Sequence, residues 1–405
     1  MNRFLTLCAA FLLLLAVPAC DSFVEDVDDP IDSISDDQLN DESQVPFIIR
    51  GVQSRFSTTW DRITVFAGGL SDELIFDTDV PNATFPSFQE MDDGDISFAN
   101  NSNDGVYNDA NELRFFSDNL LARLGEITFE DAALKQEAEF TANLYGGIAR
   151  YLLATYYGLN PREGGGVISE DAENPGPFIP SAQLYEQALA KFNAALPLAP
   201  DDYTRRVVHS IIARTHLYAG DVGAAQAAAQ AGLVAGDAPF QSLHSVENTN
   251  YWYVQAGQGR TQWVVDFRFQ DLVENNPEEA ARIQLEPIEG NDGTTFYRQA
   301  LYLDRSSPLT FISWQETALM RAEIALRNND TGTALDLINE VRASHSLAPR
   351  DAASLDVLIE ERERELFTLG ARLVDQRRFD RWHLGPDTWQ YLPITQSERN
   401  ANPNF

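Results

Sequence analysis

The chain has 405 residues, with 62 Asp and Glu against 29 Lys and Arg and a formal charge of −33. Hydrophobic residues make up 44% of it and aromatics 11%, enough apolar surface for a core, which excludes an acidic disordered tail. The charge excludes nucleic-acid recognition through a basic surface, because phosphates are repelled, and the length accommodates one large domain or two to three ordinary ones.

In chain order, Arg3 is followed by a Leu-rich run from Phe4 to Val17 and then by Pro18-Ala19-Cys20. The run has the length of a signal h-region and is short for a bilayer span. Val17-Pro18-Ala19-Cys20 resembles a bacterial lipobox, with Pro18 where a small or hydroxyl residue is usual. Residues 1–19 are therefore expected to be a lipoprotein signal peptide and Cys20 the lipidation site. The other cysteine, Cys8, leaves with the signal, so the mature chain is expected to have neither a free thiol nor a disulfide. No second apolar run is long enough to span, and membrane attachment rests on the acyl chains alone. Residues 20–45 are acidic, poor in aromatics and interrupted by Pro30, the composition of a solvated tether. Acids directly behind the Cys also resemble the export signal of surface lipoproteins in Bacteroidetes-like bacteria; a tether that is merely acidic is the other reading.

Residues 46–405 read as one mainly α domain with a loop-rich, minor-β irregular portion. Ile48, Val52, Phe56, Trp60 and Ile63 recur at steps of four and three, one apolar helix face. Leu113, Phe116, Leu120 and Leu124 repeat the pattern, as do Leu144, Ile148, Tyr151, Leu152 and Tyr156. Stretches rich in Asn, Asp, Gly and Pro at 77–108, 158–180 and 234–262 read as irregular, with Gly164-Gly165-Gly166 a flexible loop. Trp263 to Phe269 has the composition of a short strand, residues 270–310 look loop-rich, and helix resumes near Ser313. A repeat is visible by spacing. Ala213 is followed by Ala225, Ala229 and Gly232, and Ala322 by Ala334, Ile338 and Val341, at equal offsets, with Gly220-Asp221 and Asn328-Asn329-Asp330 as turns between the halves. This is the pattern of a tetratricopeptide helix pair. Ala188, Phe192, Ala195 and Pro200 give a third half-unit, paired with a helix over 138–157, so that tetratricopeptide-like units are expected over about 138–235 and 313–345.

At the C-terminal end the motifs become specific. Glu361-Arg362-Glu363-Arg364-Glu365-Leu366, Gly370-Ala371-Arg372 and Asp375-Gln376-Arg377-Arg378-Phe379 resemble the "ER..EL..EG.R..DLRR" signature of SusD/RagB-type outer-membrane lipoproteins. Tyr391-Leu392-Pro393-Ile394, Glu398 and Asn402-Pro403 resemble the closing "PIP..E...NP" segment, and Leu319-Met320-Arg321-Ala322-Glu323 the "LMYAEAL" helix. With the lipobox, the resemblance runs along essentially the whole chain. Leu369 departs from the Glu usual before the Gly, and Gly164 to Gly166 replace a "Gly-Asp-Val-Pro" end. The resemblance implies a cell-surface lipoprotein of the outer membrane that captures glycan, oligosaccharide or peptide and delivers it to a SusC-like TonB-dependent barrel, without catalysis or cofactor.

The residues bear on chemistry independently of the family. None of the five histidines has metal-site spacing, and His209 and His216 read as packing. No phosphate loop or GxSxG elbow is present; Asp72-Glu73 is the carboxylate pair a hydrolase alternative would use. Sugars are held by aromatic faces and by amides and carboxylates. That points to Asn250, Tyr251, Trp252 and Tyr253 in one loop cluster, and to Asn101 and Tyr107, with Asn100, Asn103 and Asp104, in a second. Trp60 and Trp314 read as core. The Arg372, Asp375, Arg377, Arg378 and Asp380 cluster reads as a buried ion-pair network. A helical-repeat scaffold lipoprotein without a small ligand is the remaining alternative. Only Lys135 and Lys191 are lysines, and an acid-rich, Lys-poor surface is expected of a halophilic or marine source.

Overall fold

In the computed structural model residues 36–83, 86–169 and 174–405 are described; the expected signal peptide, Cys20 and the expected tether up to residue 35 lie outside them. The first long helix, α1 (Val45–Leu70), opens with a proline in its first turn, where the missing N–H costs nothing. Val52, Phe56, Trp60 and Ile63 are buried as the spacing predicts, and the last six residues of the helix are buried on every side. A helix apolar all round runs through a core rather than along it. Trp60 donates its indole N–H to the Thr310 carbonyl at 2.9 Å, which satisfies the polar atom of the buried ring.

After β1 (Leu74–Ile75) come α2 (Pro86–Asp92), α3 (Asn101–Arg123) and α4 (Ala132–Tyr156). Much of the 77–108 stretch is thus helical, not irregular. Its polar residues serve as caps: Asn100 accepts from the Asn103 N–H and opens α3, as Asp131 opens α4. Within α3 the expected apolar face is shifted. Phe116 is exposed, and the helix faces inward through Val106, Ala110, Leu113, Ser117 and Leu120.

Residues 158–180 also correct the sequence expectation. They contribute β2 (Tyr157–Asn160), β3 (Glu163–Val167) and β4 (Phe178–Pro180), so the three glycines form a strand. The reason is steric. A Cβ on Gly164 would run into the Tyr391 ring, and one on Gly165 into the Ile179 carbonyl, so side-chain-free backbone is what lets β3 lie against its neighbours.

The chain then runs through α5 (Ser181–Ala195), α6 (Asp202–Tyr218), α7 (Val222–Gln230), β5 (Phe240–Ser242) and α8 (Tyr251–Gln255). Next come β6 (Val264–Val265), α9 (Phe267–Asn275), β7 (Leu285–Glu289), β8 (Thr295–Gln299) and β9 (Leu309–Ile312). It ends with α10 (Trp314–Arg327), α11 (Thr331–Ser344), α12 (Leu355–Glu365), α13 (Ala371–Arg378), β10 (Leu392–Pro393) and α14 (Gln396–Ala401). The strand expected from Trp263 to Phe269 is only two residues long, because Asp266 caps the Arg268 N–H and starts a helix. Residues 270–310 hold the β7–β8 hairpin. The sheets have the strand orders β1-β6-β8-β7, β10-β2-β3-β4 and β5-β9.

Helix pairs form the scaffold: α4 with α5, α6 with α7, α10 with α11. The two Ala-spaced pairs are built alike. Gly220 and Asn329 take positive φ at the turn, and Asp221 and Asp330 cap the returning helices through Ala224 N–H and Thr333 N–H. Ala213, Ala225, Ala229, Ala322, Ala334, Ile338 and Val341 are all buried, as close helix approach requires. Between α4 and α5 the insertion is the small sheet, not a loop. Among the described residues no helix is long and apolar enough to cross a membrane.

The charged C-terminal motif closes the core. Arg362, fully buried, grips Asp375 at 2.7 Å; Arg378 bridges Asp375 at 3.1 Å and Glu323 at 2.6 Å. Glu361 receives Arg282, Arg342 and Arg350 at 2.7–2.8 Å. Arg377 instead donates to the Gln390 and Thr155 carbonyls.

Candidate functional site

The sequence-predicted residues fall in different environments. Asn250 is the N-cap of α8, accepting from the Tyr253 N–H at 3.0 Å and donating to the Ser307 carbonyl at 2.8 Å. Trp252 is fully buried and donates to Thr64 Oγ1 at 2.8 Å. Tyr107 is buried edge-on against Tyr157, 5.1 Å between ring centres. These three are therefore corrected to structural roles: no face of them is open to a ligand. Tyr251 and Tyr253 are half-buried, the Tyr251 ring lying under the Arg62 guanidinium at 5.6 Å. Asn101 is exposed at the start of α3.

The hydrolase pair is likewise engaged. Burial opposes the Asp72 charge, but Arg372 at 2.6 Å and Arg268 at 3.0 Å prevail and hold its carboxyl below the usual range. Glu73, fully buried, is pushed up to about 8 by burial and faces the Thr368 N–H. A clamped carboxylate beside an enclosed one offers no acid–base pair to a substrate. Ser242, His244 and Asp61 have the residue types of a hydrolytic triad, with Ser242 Oγ 3.1 Å from His244 Nε2 and His244 Nδ1 3.5 Å from Asp61. All three side chains are closed off, burial lowers the imidazole to about 4, and Asp61 caps the Tyr251 N–H at 2.7 Å. The cluster pins the 243–251 segment to α1. Burial lowers His209 and His216 as well, and among the described residues no group of His, Cys, Asp and Glu is placed to hold a metal.

The space for a ligand lies elsewhere. A groove of about 580 Å³ runs between α1, α4 and α6, within the range of small-molecule sites. Gln53, Gln136, Phe140, Tyr145, Tyr203 and Phe240 give it its chemistry. Phe56 on α1 positions two of the rings: Tyr145 packs on it at 5.1 Å and Phe240 stacks on it at 6.0 Å. Tyr203 stands in the first turn of α6, fixed by the Asp201 cap on the Thr204 N–H. Burial keeps the proton on both tyrosine hydroxyls, so they remain donors. Gln53, Gln136 and the Glu137 carboxylate are exposed along the rim, which lets aromatic faces and amide or carboxylate groups converge on one guest.

None of the six residues predicted for the ligand lines this groove. The sequence does carry a trace of it. Phe140 extends the Leu144, Ile148, Tyr151 stripe one turn beyond the point where α4 enters the core, and Tyr203 does the same ahead of Val207 and Ile211 on α6. An apolar stripe that overruns the core borders open space. Phe240 falls in a stretch read as irregular, and nothing local shows that β5 pairs with β9 and carries it to α1.

No protein-family model matches the chain, and no curated protein matches it. Solved structures do. A structure named "Laminarin binding SusD-like protein" superposes with a TM-score of 0.72 at 16% identity, covering 90% of this chain and 99% of that one. A SusD superfamily protein from Bacteroides thetaiotaomicron gives 0.70 at 17% identity, over 90% and 98%. Surface glycan-binding protein A from Bacteroides uniformis gives 0.67 at 15%, over 90% and 98%. The TM-scores and the near-complete coverage on both sides bear out, at the level of fold, the resemblance read from the motifs: the chain has the mainly α SusD-like fold.

Proposed function

We propose that this is a cell-surface carbohydrate-binding lipoprotein, anchored through Cys20, that captures a glycan or oligosaccharide in the α1–α4–α6 groove and delivers it to a SusC-like TonB-dependent transporter. The observation that carries the reading is the convergence of Phe140, Tyr145, Tyr203 and Phe240 with Gln53 and Gln136 in one open groove. Sugar rings present C–H faces that aromatic planes accept and hydroxyls that amides pair with. A peptide would also use backbone pairing to a sheet edge, and the groove walls are helical apart from Leu198 and Pro200 in the α5–α6 connection and the ring given by β5. The names of the structural neighbours, laminarin-binding and surface glycan-binding, support a saccharide guest.

Affinity electrophoresis of the mature chain through gels containing neutral glucans, laminarin first, tests this. Retardation is expected, and Tyr203→Ala or Gln53→Ala, both at the groove rim, should weaken it about tenfold, near 1.4 kcal/mol. Absence of retardation by any neutral glycan, or unaltered retardation of Tyr203→Ala, refutes the site. Delivery is tested by co-purification from outer membranes: a large β-barrel partner is expected, and its absence removes that part of the reading. Cys20→Ala should abolish acyl labelling and release the chain from the membrane.

A further inference from the structure

A second groove, of about 470 Å³, lies between the outer face of α3 and the C-terminal helix α14. Asn108, Asn111, Arg114 and Phe115 face it from α3, and Glu398 and Asn402 from the other side. The Phe115 ring is 44% exposed. Arg114 is the unusual member. It is more than nine-tenths buried, and among the described residues its Nε has no hydrogen-bond partner and its one ion pair, to Asp118, is long at 3.7 Å. Asp118 is already held by Arg150 at 2.8 Å and by Lys191 at 3.1 Å. Three cations thus share one carboxylate, a local positive excess in a chain of net charge −33. Of the groove's own carboxylates, Glu112 is paired with Arg55 at 2.8 Å, while Glu398 accepts only the neutral Asn402 amide at 2.8 Å and keeps its charge on the opposite wall, which leaves Arg114 the one cation among the described lining residues.

A buried guanidinium with unused donors is costly unless something pairs with it. We infer that this groove is a second saccharide site that selects an acidic sugar, its anionic group received by Arg114 and its ring laid against Phe115. The guanidinium carbon stands 5.9 Å from the Phe115 ring centre, a spacing that a pyranose bearing an exocyclic carboxylate or a sulfate ester spans. Asn108 and Asn111 flank the same place and supply amides for hydroxyls. Repulsion from the rest of the acidic surface is screened beyond about 8 Å at 0.15 M salt, so the contact pair decides.

Calorimetric titration of the mature chain with three oligosaccharides of equal length, an oligogalacturonate, a sulfated galactan and a neutral glucan, tests the assignment. At least one acidic probe is expected to bind with 1:1 stoichiometry in the presence of saturating neutral glucan, and the arm that binds identifies carboxylate or sulfate as the group read. Arg114→Gln should lower that affinity at least tenfold and Arg114→Lys less. Phe115→Ala removes an exposed ring, so its melting temperature should stay unchanged while its acidic-sugar affinity falls by a similar factor. Failure of both acidic probes to bind, equal affinity for acidic and neutral probes, or a correctly melting Phe115→Ala with unaltered affinity overturns the inference. The two readings fail separately, because loss of neutral-glucan binding leaves this titration untouched.

Discussion

At the scale of single residues, Glu73 carries the clearest pH signature. Its ordinary value is 4.5, and burial raises it to about 8, against the opposing charges of Arg268 and Arg372 and with the help of Asp72. Below about 4.5 both folded and unfolded chains hold the proton and the residue costs nothing. Between about 4.5 and 8 the unfolded chain releases it while the folded chain keeps it, so stability falls as pH rises through that window. Glu73→Gln mimics the protonated form. It should melt higher than the parent at pH 7, by up to about 3 kcal/mol in stability, with the gap closing near pH 4.5. A gap that does not change with pH contradicts the burial argument. The residue scale is also where sequence reading was weakest. Trp252, Asn250 and Tyr107 have the residue types of a sugar site but serve as an anchor ring, a cap and a core ring. What separates them from Tyr203 and Phe140 is solvent access, which depends on helices distant in sequence.

At the scale of elements, the C-terminal motif and the glycine strand carry the predictions. Asp375→Ala leaves the fully buried Arg362 without its carboxylate and should cost about 3–5 kcal/mol in chemical denaturation. Arg381→Ala breaks an exposed pair with Asp356 and should cost less than about 1 kcal/mol. Removing Asp375 together with Arg377, which ties α13 to the Gln390 and Thr155 carbonyls, should unfold the domain; a folded double variant lacking only ligand binding would reassign the cluster to recognition. Helix pairs were legible because Ala213, Ala225 and Ala229 repeat at the offsets of Ala322, Ala334 and Ile338, a local, periodic signal. β3 was not, because Gly164 to Gly166 lack strand propensity and become a strand only through Tyr391, Ile179 and Leu153 packing against them. The start of α3 was hidden for the opposite reason, its capping Asn100 reading as loop.

At the scale of the whole molecule, the arginines that hold the core together are withdrawn from the surface. Arg282, Arg342, Arg362 and Arg378 are turned inward onto buried carboxylates, Glu279, Glu361, Asp375 and Glu323, so the core is close to neutral and the acid excess stays on the outside. Self-repulsion on such a surface weakens as the screening length falls from about 8 Å at 0.15 M to about 3 Å at 1 M salt. The melting temperature should therefore rise between low salt and molar NaCl; a flat or falling curve contradicts the reading of the charge as an adaptation to a saline medium. The same architecture sets two grooves on one helical scaffold, an aromatic one across α1, α4 and α6 and one holding Arg114 across α3 and α14. The first of these is the central claim, and a structure of the mature chain with a bound neutral oligosaccharide tests it most directly. A sugar ring resting on Tyr203 and Phe240, with hydroxyls paired to Gln53 or Gln136, is the predicted result; a sugar seated elsewhere while this groove stays open would contradict it.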